Sequence, residues 1–287
     1  MGGTLILSNI LVALAIDYFF YKNLLFEKLL STTREYFSFV VGIIILYLFG
    51  LYDDKYKLSA NYKLLIKTFF LIFFILIDNN LIIHKIEFSF LKDSIFLKSF
   101  SFFFTLLCFL LFINALNMFD GINCQVGSYC ILVFSIFLFK NITPDFCLVL
   151  IISTTFYLIL NFKNKIYLGE SGILILAFII SYLFVKTSGL DNKAFFADEI
   201  FMIMALPGID MFRLFILRLV EGRHPFSPDT KHIHHLISKH TTNEKTWIVI
   251  FFYNLITIIS YYLIEFKLAY LIIYLIVYFL IIFLLTK

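Results

Sequence analysis

Runs of about 20 apolar residues, each long enough to cross a bilayer as a helix, recur along the whole chain and constrain its fold more than any other feature. The chain has 287 residues, of which 62% are apolar and only 15% charged, whereas a soluble domain is about 45–50% apolar. A helix satisfies its own backbone hydrogen bonds inside lipid. The sequence therefore predicts an all-α, polytopic integral membrane protein in contact with the lipid bilayer.

Charged residues divide the apolar runs into about ten predicted spans within one transmembrane domain covering residues 1–287. The predicted spans are 3–20, 36–52, 63–83, 99–119, 123–139, 145–161, 171–188, 196–210, 247–264 and 268–286. No basic residue precedes the first run, so we expect a retained span and not a signal peptide. Between two spans, residues 85–98 alternate in part between apolar and polar, which predicts a short hairpin or an interfacial segment.

Polar motifs occupy the gaps after the second, fourth, sixth and eighth predicted spans, which all open on the same side of the membrane. These loops are predicted near 53–63, 120–125, 163–172 and 210–246. A small excess of Lys and Arg in them favours the cytoplasmic face, and thus a multi-pass protein of the cell inner membrane. Because each motif places charges at the mouth of an apolar helix, we expect all four to converge on one charged ligand.

The charge balance argues against other classes of partner. The net charge is +4 and no polybasic run occurs, so the sequence indicates no nucleic-acid partner. The four cysteines have no C-x-x-C spacing and are typical of small packed residues.

The first motif is a pair of adjacent carboxylates, Asp53 and Asp54, at the end of the second predicted span. Such a pair can bind Mg²⁺ together with substrate phosphate oxygens, or one member can accept a proton. The alternative is a solvated helix end. Lys63, one turn into the next span, points back to the same mouth and could meet a phosphate.

The second motif places Asn114, Asn117 and Asp120 three residues apart, on one face of a helix. Amides in an apolar span need partners. The stripe therefore indicates either a polar path to a carboxylate at the membrane surface or contacts between helices.

The third motif is Glu170 between two glycines, within residues 168–172. The glycines let the backbone approach a ligand, and the start of the following helix favours an anion. Asn161 lies upstream near the same mouth. An ordinary turn is the alternative reading.

The fourth motif, residues 207–235, combines arginines that could bind phosphate in bidentate fashion with a cluster of histidines. Five of the six histidines lie between His224 and His240. Zinc is a rival ligand. However, the segment has no cysteine, and H-x-H-H spacing suits three ligands on one metal poorly.

Together the four motifs resemble the polyprenyl-phosphate N-acetylhexosamine-1-phosphate transferases of glycosyltransferase family 4. They read DDKYKLSANYK, NALNMFDG, YLGESG and EGRHPFSPDTKHIHH, and the resemblance runs from about residue 36 to 236. It is closer to the undecaprenyl-phosphate GlcNAc-1-phosphate transferase branch than to the muramoyl-pentapeptide branch. Three features depart from the family pattern: Asn123 replaces a second Asp, Glu170 replaces an Asp, and the Gly2-Gly3 pair resembles one that follows a first span and a basic loop in the family.

The resemblance implies that a sugar-1-phosphate passes from a UDP-N-acetylamino sugar to polyprenyl phosphate, with Mg²⁺ or Mn²⁺ as cofactor. This is the first step of cell-surface polysaccharide synthesis, including O-antigen and lipopolysaccharide, and a homodimer is one possible assembly. The roles expected are catalytic for Asp53, Asp54, Asp120 and His234, substrate-binding for Lys63, Asn114, Asn117, Asn161, Arg218, Arg223, His232 and His235, and metal-binding for Asp53 and Glu170. An inactive homologue and a secondary transporter are the alternatives.

Overall fold

The computed structural model describes residues 1–21, 25, 29–30, 32–188, 194–225, 227 and 229–286. The α-helices in this part of the chain are α1 (Gly2–Ile16), α2 (Thr33–Tyr56), α3 (Ala60–Ile77), α4 (Ser101–Phe119), α5 (Gln125–Phe139), α6 (Pro144–Phe162), α7 (Gly169–Ser188), α8 (Ala197–Ile203), α9 (Ala205–Val220), α10 (Ile233–Ser238), α11 (Asn243–Leu263) and α12 (Lys267–Thr286). Two short strands, β1 (Lys85–Ile86) and β2 (Ile95–Phe96), pair antiparallel between α3 and α4. The predicted all-α fold is confirmed, and the hairpin predicted within 85–98 is present.

The number of helices that could cross a membrane is smaller than the ten spans predicted. Within the described ranges, eight helices are long and apolar enough, and a ninth span results if α8 and α9 are counted together. The difference arises from α5, which is apolar but only 15 residues long, and from the bent α8–α9 pair. The multi-pass architecture therefore stands, while the number of ten spans stays a prediction.

The predicted span 196–210 is two helices, α8 and α9, which meet at a bend of 77°. Pro207 lies near the start of α9 and explains the break. Its ring has no N–H and would clash with the carbonyl four residues earlier, that of Ile203, which ends α8. The apolar run therefore changes direction, and α9 continues to Val220.

Helix α7 lies at the centre of the bundle. Every residue from Ser171 to Thr187 is buried, as expected for a helix that is apolar on all sides. It packs mainly against α2 and α4. At the other extreme, α12 buries only Tyr274, Tyr278 and Ile282 within its described length, so most of its apolar surface is left to face lipid.

Glycine permits the close approach that brings the end of α2 to the start of α7. A Cβ atom on Gly50 would lie 2.3 Å from the Cα atom of Ser171, so no larger residue fits without moving the backbone. The start of α1 docks on the same place, because Gly2 and Gly3 donate backbone hydrogen bonds to the carbonyls of Tyr167 (2.9 Å) and Leu168 (3.2 Å). The acidic residues at these two helix ends are therefore held side by side.

Candidate active site

A charged cavity of about 370 Å³ opens at the end of the bundle where α2 and α4 end and α3 and α7 begin. Each of the four predicted motifs contributes to its polar lining, but the α2 carboxylates Asp53 and Asp54 do not line it. The polar lining residues are Lys63, Lys67, Asn114, Asn117, Glu170, Arg218, Ser227 and His232. We call this space the charged cavity. The structure thus brings together polar groups that lie up to 169 residues apart in the sequence, from Lys63 to His232.

Two carboxylates approach one ammonium group at the edge of the charged cavity. The Nζ atom of Lys63 lies 2.5 Å from Oδ2 of Asp53 and 2.9 Å from Oε1 of Glu170. Asp53 is buried, and its other oxygen accepts the backbone N–H of Leu58 at 2.9 Å. The Oδ2 atom itself receives no well-aligned hydrogen bond from the described residues. This arrangement can bind a cation between two acids.

Asp54 faces the start of α7 and not the charged cavity. Its carboxylate accepts the backbone N–H of Glu170 at 2.8 Å and the hydroxyl of Ser171 at 3.2 Å. Gly169 has a φ of +73°, and a Cβ atom there would lie 2.8 Å from Oδ2 of Asp54. The anion favoured at this helix start is, in this structure, the carboxylate of Asp54. The carboxylate fixes the loop that carries Glu170.

The amide stripe of α4 contacts a lysine that sequence reasoning missed. Asn114 and Asn117 both line the charged cavity. The buried Lys67 donates a hydrogen bond of 2.5 Å to Oδ1 of Asn114, whose Nδ2 donates to the carbonyl of Leu110. Lys67 lies inside the apolar run 63–83, and a single charge changes the average hydropathy of such a run too little to be noticed. Its position one helical turn after Lys63 was the available signal.

Gly121, which follows Asp120 in the chain, packs against the ring of His234. A Cβ atom on Gly121 would lie 1.8 Å from Nε2 of His234, so glycine is required for this contact. Desolvation, helped by the nearby Glu170 carboxylate, raises the pKa of Asp120 to about 7. Burial, followed by the charges of His235 and His232, lowers the pKa of His234 to about 3. His234 is therefore neutral, and its Nε2 atom has no hydrogen-bond partner among the described residues.

Arg218 and His232 enter the charged cavity from a buried network that α9 supports. Arg218 donates to Oδ2 of Asp229 at 2.7 Å and to the carbonyl of Pro225 at 2.7 Å, and its Nη2 atom lies 3.5 Å from Nε2 of His232. The Nδ1 atom of His232 lies 2.8 Å from Oδ2 of Asp210. Asp210 lies within the fourth predicted motif, at the end of a predicted span, but sequence reasoning gave it no role. The network fixes the orientation of both cavity-lining groups.

Three predicted ligand-binding residues lie outside the lining of the charged cavity, and their roles stay predictions. Asn161 is buried and joins two loops, accepting from the N–H of Cys124 at 2.7 Å and donating to the carbonyl of Ile166 at 2.8 Å. Arg223 is exposed, and one of its contacts is Glu221 at 3.3 Å. The ring of His235 packs 4.3 Å from that of His234. No group of three or more His, Cys, Asp or Glu suited to a metal occurs among the described residues.

An apolar groove of about 710 Å³ lies between α4, α9 and α12, next to the bend between α8 and α9. Its lining includes Leu111, Ala115, Gly208, Phe212, Leu275 and Phe279. We call it the apolar groove. It shares α4 and α9 with the charged cavity, so a polar and an apolar space adjoin the same two helices.

These features define a helical membrane protein with a charged cavity at one end of the bundle and an apolar groove beside it. A family model described as Glycosyl transferase family 4 matches residues 36–188. The chain belongs to this family.

Two relatives of known name are transferases of one kind. A Bacillus subtilis (strain 168) protein named a probable undecaprenyl-phosphate N-acetylglucosaminyl 1-phosphate transferase is 30% identical over 208 residues, covering 69% of this chain and 57% of that protein. An Escherichia coli O157:H7 protein named undecaprenyl-phosphate alpha-N-acetylglucosaminyl 1-phosphate transferase is 28% identical over 206 residues, covering 68% of this chain and 56% of that protein. The matched part therefore spans little more than half the length of these relatives.

Proposed function

We propose that the protein transfers a sugar-1-phosphate from a UDP-N-acetylamino sugar to polyprenyl phosphate at the cytoplasmic face of the inner membrane. In the net reaction an oxygen of the lipid phosphate forms a bond to the β-phosphorus of the UDP-sugar. The bond from that phosphorus to the bridging oxygen breaks, and UMP leaves. Such a step would begin a lipid-linked cell-surface polysaccharide, including O-antigen and lipopolysaccharide. Phosphoryl transfer depends mainly on positioning and on neutralising charge.

The convergence of Asp53, Lys63 and Glu170 on one point carries this proposal. A cavity lined by Glu170, two lysines and an arginine, with Asp53 in contact with Lys63, suits a ligand that combines phosphates with a bound cation. The names of the relatives supply the reaction class.

The two carboxylates fit Mg²⁺, with Mn²⁺ as an alternative. Oδ2 of Asp53 is buried without an aligned donor, and Oε1 of Glu170 approaches the same ammonium group. Mg²⁺ usually takes one or two carboxylates and completes its shell with water and substrate phosphate oxygens. When bound, the ion would neutralise charge on the diphosphate. Because Lys63 lies between the two acids, it would have to make room.

The remaining predicted residues divide into binding and positioning groups. Lys63, Arg218 and His232 would contact phosphate oxygens, because each lines the charged cavity. Asp54 would act as a positioning residue for Glu170 through the α7 backbone. Asp120 and the neutral His234 would meet the nucleotide side of the substrate across Gly121.

The apolar groove would hold the isoprenoid chain of the lipid. Its lining is almost wholly apolar, and it opens beside helices that face the bilayer. A chain lying there would bring its phosphate to α4 and α9, which also wall the charged cavity.

The test uses purified protein in detergent with polyprenyl phosphate, Mg²⁺ and a panel of UDP-N-acetylamino sugars, with UMP release as the readout. We expect release with at least one sugar, dependent on both substrates, and greatly reduced in Asp54→Asn. Release by Asp54→Asn at the parent rate would remove the proposed role of that residue. Absence of UMP across the panel would favour the inactive homologue or the transporter.

A further inference from the structure

Lys67 is a buried cation without a carboxylate partner. Only 3% of it is exposed, and it lines the charged cavity. Among the described residues its ammonium group donates a single hydrogen bond, to Oδ1 of Asn114, and no carboxylate lies within ion-pair distance. An ammonium group has three donors, so two protons remain for another acceptor.

This lysine lies deeper in the bundle than Lys63, the other lysine of the charged cavity. It follows Lys63 by one turn of α3, which places it about 6 Å further along the helix axis. Lysines within an apolar span are costly unless they have a partner and usually mark a functional site. The depth and the missing anion together indicate that an anion reaches Lys67 from outside the chain.

The direction of approach distinguishes the two phosphate-bearing substrates of the proposed reaction. The Asp53–Lys63–Glu170 cluster lies at the outer mouth of the charged cavity, where Lys63 and Glu170 are each 24% exposed and a water-soluble nucleotide would enter. Asn114, the partner of Lys67, directly precedes Ala115 on α4, and Ala115 lines the apolar groove. Arg213 also lines the groove, but its charge is paired with Asp210 at 2.8 Å. A phosphate attached to a lipid in that groove would therefore find in Lys67 a buried cation that the described residues leave without a carboxylate.

We infer that Lys67, held by Asn114, binds the phosphate group of the lipid acceptor at the junction of the apolar groove and the charged cavity. This rests on the proposed function for the identity of the acceptor. The recognised chemistry is a phosphate monoester on a long apolar chain, which carries up to two negative charges. The nucleotide diphosphate is the other possible source of phosphate, and the test separates the two.

The first experiment measures binding without turnover. Thermal unfolding in detergent is followed with polyprenyl phosphate and with polyprenol, which has the same chain but no phosphate, for the parent, Lys67→Met and Lys67→Arg. The matched control is Lys245→Met, which removes an exposed lysine at the start of α11 that lines neither space. We expect polyprenyl phosphate, more than polyprenol, to raise the unfolding temperature of the parent, the control and, in part, Lys67→Arg. Lys67→Met should respond equally to both lipids.

The second experiment uses the transfer reaction. Loss of a charge-assisted contact should raise the KM for polyprenyl phosphate in Lys67→Met by about 10-fold or more, with the KM for the UDP-sugar within about 2-fold of the parent value. A rise confined to the UDP-sugar, or no rise in either KM, would overturn the inference. If Lys67→Met does not fold, Lys67→Gln takes its place. If the parent responds to polyprenyl phosphate through Lys67 but releases no UMP, the inference stands and the proposed reaction fails.

Discussion

The two buried lysines of the described chain, Lys67 and Lys186, have opposite electrostatic surroundings. Lys186, at the end of α7 remote from the charged cavity, lies 3.0 Å from Oε2 of Glu35 and 3.0 Å from Oδ2 of Asp78. Lys67 has an amide partner and no carboxylate. The described residues thus balance the charge of Lys186 at one end of the bundle, whereas at the other end they leave Lys67 without an anion.

This difference separates structural charges from functional ones. The Lys186 cluster joins α2, α3 and α7, because Glu35 lies in the first turn of α2 and Asp78 directly follows α3. Breaking a buried ion pair by removing one partner is strongly destabilising. An unpaired buried cation costs stability in the absence of ligand and is expected where a ligand supplies the anion. Each of the following predictions tests whether the two ends differ in this way.

The largest expected effect on stability is at the remote end. Lys186→Met should lower the free energy of unfolding by about 3–5 kcal/mol, because Glu35 and Asp78 lose their cation. The measurement is denaturant or thermal unfolding in detergent, with Lys67→Met as the matched variant. Lys67→Met should lose less than about 1 kcal/mol, or gain stability, since it removes an uncompensated charge. Equal losses in the two variants would contradict the comparison.

A substitution at the outer mouth should have the opposite effect: a large loss of activity with little loss of stability. Glu170→Gln keeps the size of the side chain but removes one of the two charges around Lys63, so turnover should fall by about 100-fold or more. The unfolding temperature should change little, because Glu170 is partly exposed and such ion pairs contribute about 0–1 kcal/mol. The measurement is UMP release under saturating Mg²⁺, paired with thermal unfolding. A large loss of stability with normal turnover would assign Glu170 to the fold.

The sequence revealed those functional groups whose signal lies in neighbouring residues of the chain. The four motifs were found because charged residues at helix ends interrupt apolar runs, and counting spans placed them on one side. Lys67 was missed because it lies within an apolar run, and Asp210 was included in the fourth motif without a role. Only their neighbours in three dimensions, Asn114 and His232, show what these two side chains contact. The bend before Pro207 was missed because hydropathy carries no information about the direction of a helix axis.

The pH dependence of stability should reveal the desolvated carboxyl group beside the charged cavity. The pKa of Asp120 is raised to about 7, so the folded protein binds this proton more tightly than the unfolded chain. The stability that this bound proton contributes to the folded protein is therefore present at low pH. It is lost as pH rises from about 4 through about 7. Asp120→Asn has no such proton, and its stability relative to the parent should rise by at least about 1 kcal/mol between pH 5 and pH 8. A constant difference would show that Asp120 is well solvated.

The smallest effect concerns a strained turn next to Asp120. Cys124 has a φ of +69°, a left-handed conformation that glycine adopts without cost. Cys124→Gly should raise the free energy of unfolding by about 1 kcal/mol, since the strain of a non-glycine residue exceeds the added chain entropy. Thermal unfolding measures this, and Cys130→Ser, at a buried helical position, provides a contrasting loss. Destabilisation by Cys124→Gly would show that the thiol makes a needed contact.

In the proposed reaction, the charged end of the bundle joins a nucleotide-bound phosphate to a lipid phosphate. The most direct measurement supplies UDP-N-acetylamino sugar labelled with ³²P at the β-phosphate and follows the label into the organic phase after extraction. We expect lipid-bound label with polyprenyl phosphate, none with polyprenol, and a strongly reduced amount in Glu170→Gln. Label that stays in the aqueous phase while the UDP-sugar is consumed would show hydrolysis in place of transfer and would contradict the proposed reaction.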